Sequence, residues 1–227
     1  MTRAAREIRF GTGDGRRPVI AAEGVRVTAG AFTVLDRFDL TVDQGEVVAL
    51  TGVNGAGKST LLRCLAGLQP VTEGEILVLG APPRDDETFW RDVGLTTDEQ
   101  AWYPWLTVRE HLELVRRIHA PVGDSCPEPE ALLETFGLSD RADVTPMTLS
   151  TGQRQRLSLA AMLARPSRLL LLDEPEQGLD QTFRDSLGTL LATYAGDGGT
   201  LVMATHDARL AESAGARMVT LHGAGRT

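Results

Sequence analysis

Lysine is almost absent from this sequence. Lys58 is the one lysine in a chain of 227 residues whose lysines and arginines together number 23, so arginine carries the remaining basic charge. The net charge is −8 at pH 7, which argues against a broad nucleic-acid-binding surface, because such a surface needs excess positive charge. We therefore expect no nucleic-acid partner, and any anion site must draw on local positive charge such as that of Lys58.

Cysteines and long apolar runs are also scarce. Cys64 and Cys126 are the only cysteines, and their spacing fits neither a metal site nor a disulfide framework, which indicates a reducing compartment. No apolar run is long enough to span a bilayer, and the N-terminus lacks the apolar core of an export signal. We therefore expect a soluble, cytoplasmic chain, whose length suits one domain or one domain with an inserted subdomain.

A phosphate-binding loop is the strongest motif in the chain. Residues 52–60 fit the pattern G-x-x-x-x-G-K-[ST], with an apolar strand before them and a helix after them. Glycines in such a loop let backbone N–H groups converge on phosphate oxygens, and the helix N-terminus adds partial positive charge. Lys58 should reach the terminal phosphates, and Ser59 should ligate Mg²⁺. The predicted nucleotide-binding positions are Gly52, Asn54, Gly55, Ala56, Gly57, Lys58, Ser59 and Thr60.

The segments around the loop predict the domain organisation. Residues 1–18 carry five arginines and little to bury, which predicts a mobile basic tail that is either solvated or touches a membrane. Residues 19–227 form the predicted globular domain that contains the phosphate loop. It begins with short alternating strands near residues 25–27, 32–35 and 38–42, typical of a small antiparallel sheet beside the nucleotide.

Residues 101–148 predict a helical insertion into that domain. Thr107 and Glu110 have the spacing of a capping box at the start of its first helix. The insertion opens with the aromatic cluster Trp-Tyr-Pro-Trp at residues 102–105. This cluster suits either a docking site for a partner or the core packing of the insertion.

Carboxylates and a histidine follow two further predicted strands. The apolar run 169–172 leads into Asp173 and Glu174, and the run 200–204 leads to His206. Ligands of open α/β sheets collect at the carboxyl ends of the strands, so these side chains should lie beside the phosphates. A further carboxylate, Asp180, is expected at the N-terminus of a helix, where negative charge is favoured.

The order of these motifs resembles the nucleotide-binding domain of ATP-binding cassette (ABC) proteins over about residues 25–221. The resemblance rests on the phosphate loop, residues 149–153, Asp173, Glu174, residues 178–180 and His206. Segment 149–153, in which Ser150 can cap a helix, is the diagnostic part. The resemblance implies an α/β fold of the P-loop NTPase, ABC ATPase type, with a mixed central sheet, an N-terminal antiparallel β subdomain and an inserted helical subdomain.

The resemblance also implies roles for single residues. Two domains would face each other head to tail with ATP between them, each adding Ser150, Gly152 and Gln153 to the nucleotide on its partner's phosphate loop. Glu174 would orient or deprotonate the attacking water, and His206 would contact the γ-phosphate. The implied catalytic residues are Glu174, His206, Asp98 and Asp180, and the implied Mg²⁺ ligands are Ser59, Asp98 and Asp173, the last acting through water.

Three positions depart from the family pattern. Asp98 stands where a glutamine usually links the nucleotide to the helical insertion, and its carboxylate keeps an oxygen for Mg²⁺. Thr151 replaces the first glycine of the signature segment. Ala29 stands where an aromatic ring usually stacks on adenine, so the nearby Phe32 is assigned to that contact.

The implied function is that of an ATP-binding and ATP-hydrolysing subunit of an ABC membrane transporter, most similar to small bacterial multidrug or antibiotic exporters. Its implied partners are a separate transmembrane permease subunit and a second nucleotide-binding domain, identical or different. The chain would lie on the cytoplasmic face of the membrane, and dimerisation driven by ATP would power transport. The alternative is a soluble ABC ATPase that acts as a switch in cofactor assembly or DNA repair.

Overall fold

The computed structural model of the chain describes residues 18–96, 102–119 and 126–223. Among these residues the strands are β1 (Pro18–Ala29), β2 (Phe32–Asp43), β3 (Val47–Thr51), β4 (Glu73–Val78), β5 (Val93–Leu95), β6 (Leu169–Asp173), β7 (Thr200–Ala204) and β8 (Arg217–Thr220). The helices are α1 (Lys58–Leu65), α2 (Glu87–Asp92), α3 (Val108–His119), α4 (Pro129–Thr135), α5 (Thr151–Leu163), α6 (Gln181–Gly196) and α7 (Ala208–Ser213). None of the described helices is long and apolar enough to cross a membrane.

The N-terminal strands form a separate antiparallel sheet with the order β2-β1-β4. Two strands predicted at 32–35 and 38–42 are one continuous strand, β2, because the bend between them is absorbed within the strand at Arg37, whose φ is +50°. Pro18, the last residue of the predicted tail, instead begins β1 and pairs with Asp43. A strand's first residue tolerates proline. Residues 1–17 lie outside the described residues.

The central sheet has the order β5-β6-β7-β3-β8, and each of its strand pairings is parallel. The expected α/β class is confirmed, with the correction that this sheet is parallel and not mixed. The reason is burial on both faces, since residues 47–50, 169–172 and 200–204 are all buried. Continuous apolar strands of this kind suit a parallel sheet that is covered on both sides.

Two hydrophobic cores lie on opposite faces of the parallel sheet. Leu170 and Leu172 of β6 face a core shared with α3, α4, α5 and α6. Leu169 and Leu171 face the other core, shared with α1 and the antiparallel sheet. This alternation follows from the two-residue period of a strand. The sheet is therefore a middle layer that is covered on both faces, and a site can form at its carboxyl edge.

The described part of the predicted insertion contains α3, α4 and two short 3₁₀ turns, Ser139–Arg141 and Pro146–Thr148. Its capping box is present, since Thr107 N–H donates to Glu110 Oε2 at 2.7 Å and Glu110 N–H donates to Thr107 Oγ1 at 3.2 Å. The hydrogen bond from Thr107 N–H to the carboxylate lowers the pKa of Glu110. The two tryptophans of the aromatic cluster differ in burial, since Trp102 packs against the core while Trp105 is 74% exposed.

Candidate nucleotide-binding and catalytic site

The candidate site lies at the carboxyl edge of the parallel sheet. The phosphate loop follows β3, Asp173 ends β6 with Glu174 directly after it, and His206 follows β7. Because β7 lies between β3 and β6, His206 leaves the sheet between the loop and the two carboxylates. Parallel pairing thus brings together three motifs that are far apart in the sequence.

Glycines hold the phosphate loop in a shape that other residues would strain. Gly52, Gly55 and Gly57 have φ values of +142°, +79° and +97°. A Cβ at Gly52 would lie 2.5 Å from the carbonyl oxygen of Leu221, and one at Gly57 would lie 2.6 Å from Cδ2 of Leu35. Gly55 meets only open space within 4 Å. The loop is therefore fixed on both flanks and open at its middle, which suits the close approach of a phosphate.

Lys58 spans the loop that it follows. Its Nζ donates to the carbonyl oxygens of Gly52, at 3.1 Å, and Val53, at 3.4 Å, and the residue is 6% exposed. Helix α1 begins at Lys58 after Gly57, which provides no side-chain cap. The first backbone N–H groups of such a helix lack intrahelical partners. Ammonium and helix N-terminus together form a concentrated positive site for phosphate.

The other predicted loop residues divide by exposure. Asn54 and Ser59 are exposed, and Thr60 is half-buried, so their polar groups can meet a ligand. Ala56 is buried and its N–H donates to Val53 O at 3.0 Å, so this residue shapes the loop. Its contact with a nucleotide stays a prediction.

Glu174 adopts a strained backbone at the end of β6. Its φ is +44°, a left-handed value that costs a non-glycine residue about 1–2 kcal/mol. Its N–H donates to Ala204 O of the neighbouring strand at 2.9 Å. This turn directs the carboxylate toward the imidazole, so that Glu174 Oε1 lies 3.7 Å from His206 Nε2. Strain of this kind is typical of functional positions.

The turn that carries His206 is tied to a carboxylate that the sequence analysis missed. Glu176 is 8% exposed, and its Oε1 accepts hydrogen bonds from Thr205 Oγ1 at 2.7 Å and from His206 N at 2.9 Å. A cleft of about 370 Å³ opens beside it, lined by Glu176, Gln181, Arg184, His206, Asp207, Ala208 and Arg209. The sequence signal was only a carboxylate after a proline, which says nothing of burial.

The signature segment forms a capped helix start, as predicted. Ser150 Oγ accepts from Gln153 N at 3.2 Å, and Gln153 Oε1 accepts from Ser150 N at 3.0 Å, which completes a capping box on α5. A Cβ on Gly152 would lie 2.4 Å from the carbonyl oxygen of Gly178. The start of α5 therefore packs backbone to backbone against the turn that follows the carboxylates.

Asp180 caps the helix after that turn. Its Oδ1 accepts from Phe183 N at 2.9 Å, and its Oδ2 pairs with Arg156. The backbone hydrogen bond, and then the charge of Arg156, lower the pKa of Asp180. The side chain is 59% exposed, so it also remains in contact with solvent.

Phe32, the predicted adenine contact, lies on the antiparallel sheet. Phe32 is 55% exposed and pairs with Ala29 at the tip of the β1–β2 hairpin, so it lies directly across from the position where the family pattern expects an aromatic ring. Val34 and Leu35 of the same strand abut Gly57 of the loop. Asp98 lies outside the described residues, and its role stays a prediction.

A nucleotide with Mg²⁺ fits this set of residues. The described residues hold no cluster of three or more His, Cys, Asp or Glu side chains that could bind a metal by themselves. Mg²⁺ commonly takes one or two protein ligands and completes its shell with phosphate oxygens and water. Ser59 and Asp173 are the described candidates. A larger cavity of about 600 Å³ lies between α4 and α6, near the amino ends of β6 and β7 and away from this edge.

Comparisons with known proteins identify the family of this chain. A family model described as ABC transporter matches residues 35–177, more than half of the chain. A putative ABC transporter ATP-binding protein of Streptomyces avermitilis is 41% identical over 210 residues, which are 90% of this chain but only 36% of that protein's length. SsuB 3 of Pseudomonas syringae pv. tomato, an aliphatic sulfonates import ATP-binding protein, is 37% identical over 203 residues, 89% of this chain and 72% of that protein.

Solved structures agree as well. Two dimeric structures of the cassette MJ0796 share 28% identity with this chain and cover 89% of it and 94% of their own chain. The TM-score is 0.76 for the structure described as a bacterial ABC transporter cassette, and 0.75 for a post-hydrolysis state bound to ADP and Pi. The chain belongs to the ABC transporter family and is one of its ATP-binding, ATP-hydrolysing proteins.

Proposed function

We propose that this ATPase drives a membrane transporter as one of two cassettes that close head to tail around ATP. The observation that carries the proposal is the capped start of α5 at Ser150, packed through Gly152 against Gly178. This helix N-terminus is distinct from that of α1, and it forms no part of the phosphate loop of the same chain. The dimeric MJ0796 structures support the pairing.

In the proposed mechanism, Lys58 and the amides at the start of α1 bind the terminal phosphates of ATP. Ser59, the predicted ligand Asp98 and, through water, Asp173 would hold Mg²⁺, which would neutralise phosphate charge. Glu174 orients the attacking water and accepts its proton, and His206 donates a hydrogen bond to the γ-phosphate. Positioning and charge stabilisation thus supply the catalysis of phosphoryl transfer.

The partner's half of the nucleotide site is proposed to come from α5. Ser150 Oγ and the backbone N–H of Gly152 would contact the γ-phosphate held on the other cassette, while Gln153 holds Ser150 in its capping geometry. Asp180, next to this segment, would pass the state of one nucleotide site to the other. Phe32 is proposed to stack on adenine at the exposed tip of the hairpin.

The proposed transport partner is a permease subunit at the cytoplasmic face of the membrane. Trp105 and Tyr103 are 74% and 51% exposed on the helical insertion, and exposed aromatic rings mark interfaces. The names of the relatives favour a transporter over a soluble switch. The expectation of export has no support from them, since the Pseudomonas relative is named for import. The proposal is therefore ATP-driven transport, and it does not specify import or export.

The test is copurification with the product of a neighbouring gene that encodes several apolar stretches of about 20 residues. The tagged chain should be recovered with that membrane protein after detergent extraction, and ATP turnover should change when the two are combined. Trp105→Ala should weaken recovery without changing turnover of the isolated chain. Recovery of the chain without its membrane neighbour, together with unchanged turnover, would contradict the proposal.

A further inference from the structure

We propose that Glu176 is a positioning residue that fixes the backbone of His206 relative to Glu174. The inference rests on the proposed role of His206 in ATP hydrolysis. Glu176 is 8% exposed, and one of its oxygens, Oε1, accepts from both Thr205 Oγ1 at 2.7 Å and His206 N at 2.9 Å. One buried oxygen thus accepts two hydrogen bonds from neighbouring residues of the turn, and an unmet donor at either place would be costly.

The anchor extends across the whole turn between β7 and α7. Thr205 is 1% exposed, and its Oγ1 also accepts from Asp207 N at 3.0 Å while its hydroxyl donates to Glu176. The N–H of His206 thus donates to Glu176 itself, and the N–H of Asp207 donates to Thr205, whose hydroxyl donates to Glu176. Removal of the carboxylate would release two linked hydrogen bonds at once.

The same short segment carries the carboxylate nearest the imidazole, Glu174, and the carboxylate that bonds the histidine backbone, Glu176. Glu174 and Glu176 flank Pro175, whose carbonyl oxygen accepts from Gln155 Nε2 of α5 at 3.1 Å. Glu174 N–H donates to Ala204 O at 2.9 Å, which ties the segment to the end of β7. The spacing between the Glu174 carboxylate and the imidazole is therefore set from one backbone segment, and Glu176 supplies the link to the histidine side.

Stability alone does not account for a carboxylate at this position. Within the described residues, Oε2 of Glu176 is buried and has no hydrogen-bond partner in the protein. Burial of a carboxylate with one unpaired oxygen is unfavourable. Arg184 lines the same cleft but donates to Leu179 O and pairs with Asp207 Oδ2 at 3.5 Å. The favourable contacts of Glu176 are those that hold the histidine turn.

The test compares Glu176→Ala with Glu176→Gln, because glutamine keeps a side-chain oxygen that can accept the same two hydrogen bonds. In the nucleotide-free protein, Glu176→Ala should raise amide hydrogen exchange at His206 by about tenfold or more. With ATP, kcat should fall by about tenfold while KM changes less than about twofold, since small displacements of a catalytic group lower the rate steeply. Glu176→Gln should restore both values to within about threefold of the original protein.

Two further variants keep the outcomes separate. Glu212→Ala, at an exposed position of α7, is the matched control and should change neither measurement. Thr205→Val removes the hydrogen bond to Glu176 Oε1 and the acceptor of Asp207 N–H, so it should raise amide exchange at Asp207 even if Glu176→Ala fails to fold. Exchange at His206 in Glu176→Ala as slow as in the original protein, unchanged exchange at Asp207 in Thr205→Val, or a loss of turnover in Glu176→Gln equal to that in Glu176→Ala would overturn the inference.

His206→Ala separates this inference from the proposed function. Low turnover in His206→Ala together with normal turnover in Glu176→Ala would overturn the positioning role and leave the proposed function intact. Normal turnover in His206→Ala would overturn the proposed role of the imidazole and the inference built on it.

Discussion

Nε2 of His206 lies 3.7 Å from Oε1 of Glu174, beyond the length of a hydrogen bond. The two residues follow neighbouring parallel strands, and the Glu174 N–H bonds the last carbonyl of the strand that leads to the histidine. At this distance the carboxylate does not use the imidazole as its hydrogen-bond partner. It can therefore hold a water molecule while the imidazole contacts a phosphate.

Lys58→Ala should weaken ATP binding by about tenfold or more, because hydrogen bonds to a charged group contribute about 1.5–3 kcal/mol. Isothermal titration calorimetry measures the dissociation constant directly. Arg63→Ala is the control, since it removes a positive charge from the exposed face of the same helix and should leave the affinity nearly unchanged. Affinity within twofold of the original in Lys58→Ala would contradict the assignment.

Gly152→Ala should destabilise the protein by about 1–3 kcal/mol, because the added methyl would lie 2.4 Å from a backbone oxygen that cannot rotate away. Gly196→Ala, in the last turn of α6 with open space around it, should be neutral or stabilise by up to about 1 kcal/mol. Urea unfolding of both variants checks the contrast. Equal stability of the two would mean that the start of α5 does not pack against Gly178 as described.

The two tryptophans of the insertion should behave differently. Trp102 packs against the core and edge to face against His111, with ring centroids 5.5 Å apart, so Trp102→Ala should cost about 2–3 kcal/mol of unfolding free energy. Trp105 is exposed, so Trp105→Ala should change stability by less than about 0.5 kcal/mol. Chemical denaturation measures both. A large loss in Trp105→Ala would place that ring in the core.

Alkaline pH should destabilise the protein through Cys64. Burial raises the pKa of this thiol to about 11, above its ordinary value, so the folded state holds a proton that the unfolded state releases. The contribution is fully present below about pH 8.5 and is lost as the pH rises toward 11. Relative to Cys64→Ala, the original protein should lose unfolding free energy over this range. If the unfolding free energies of the two proteins changed with pH in the same way, the pKa of the thiol would not be raised.

Local rules made much of the site predictable from the sequence. The phosphate loop, the cap at Ser150 and the strand leading to Asp173 depend on residues close in the chain, and the structure has each of them. Burial that depends on distant contacts was not predictable. Glu176 follows a proline on a turn, and only the packing of Thr205 and His206 against it makes it a buried anchor.

The same distinction holds for the fold. The continuity of β2 through Arg37 depends on pairing with β1 and not on the residues of β2 alone. Trp102 packs against the core and Trp105 does not, and this difference in burial depends on how the helices of the core pack together. The burial of β6 is clear in the sequence from its four consecutive leucines, but the order of its neighbours is a property of the whole chain.

The most direct test of the account is Glu174→Gln, measured for ATP turnover and for mass by analytical ultracentrifugation with ATP and Mg²⁺. Glutamine keeps the shape but cannot accept the proton of the attacking water, so turnover should fall by about 100-fold or more. ATP should stay bound, and the protein should shift from monomer to dimer, with the shift absent in Lys58→Ala. Turnover close to that of the original protein, or a monomer at saturating ATP, would contradict the central claim.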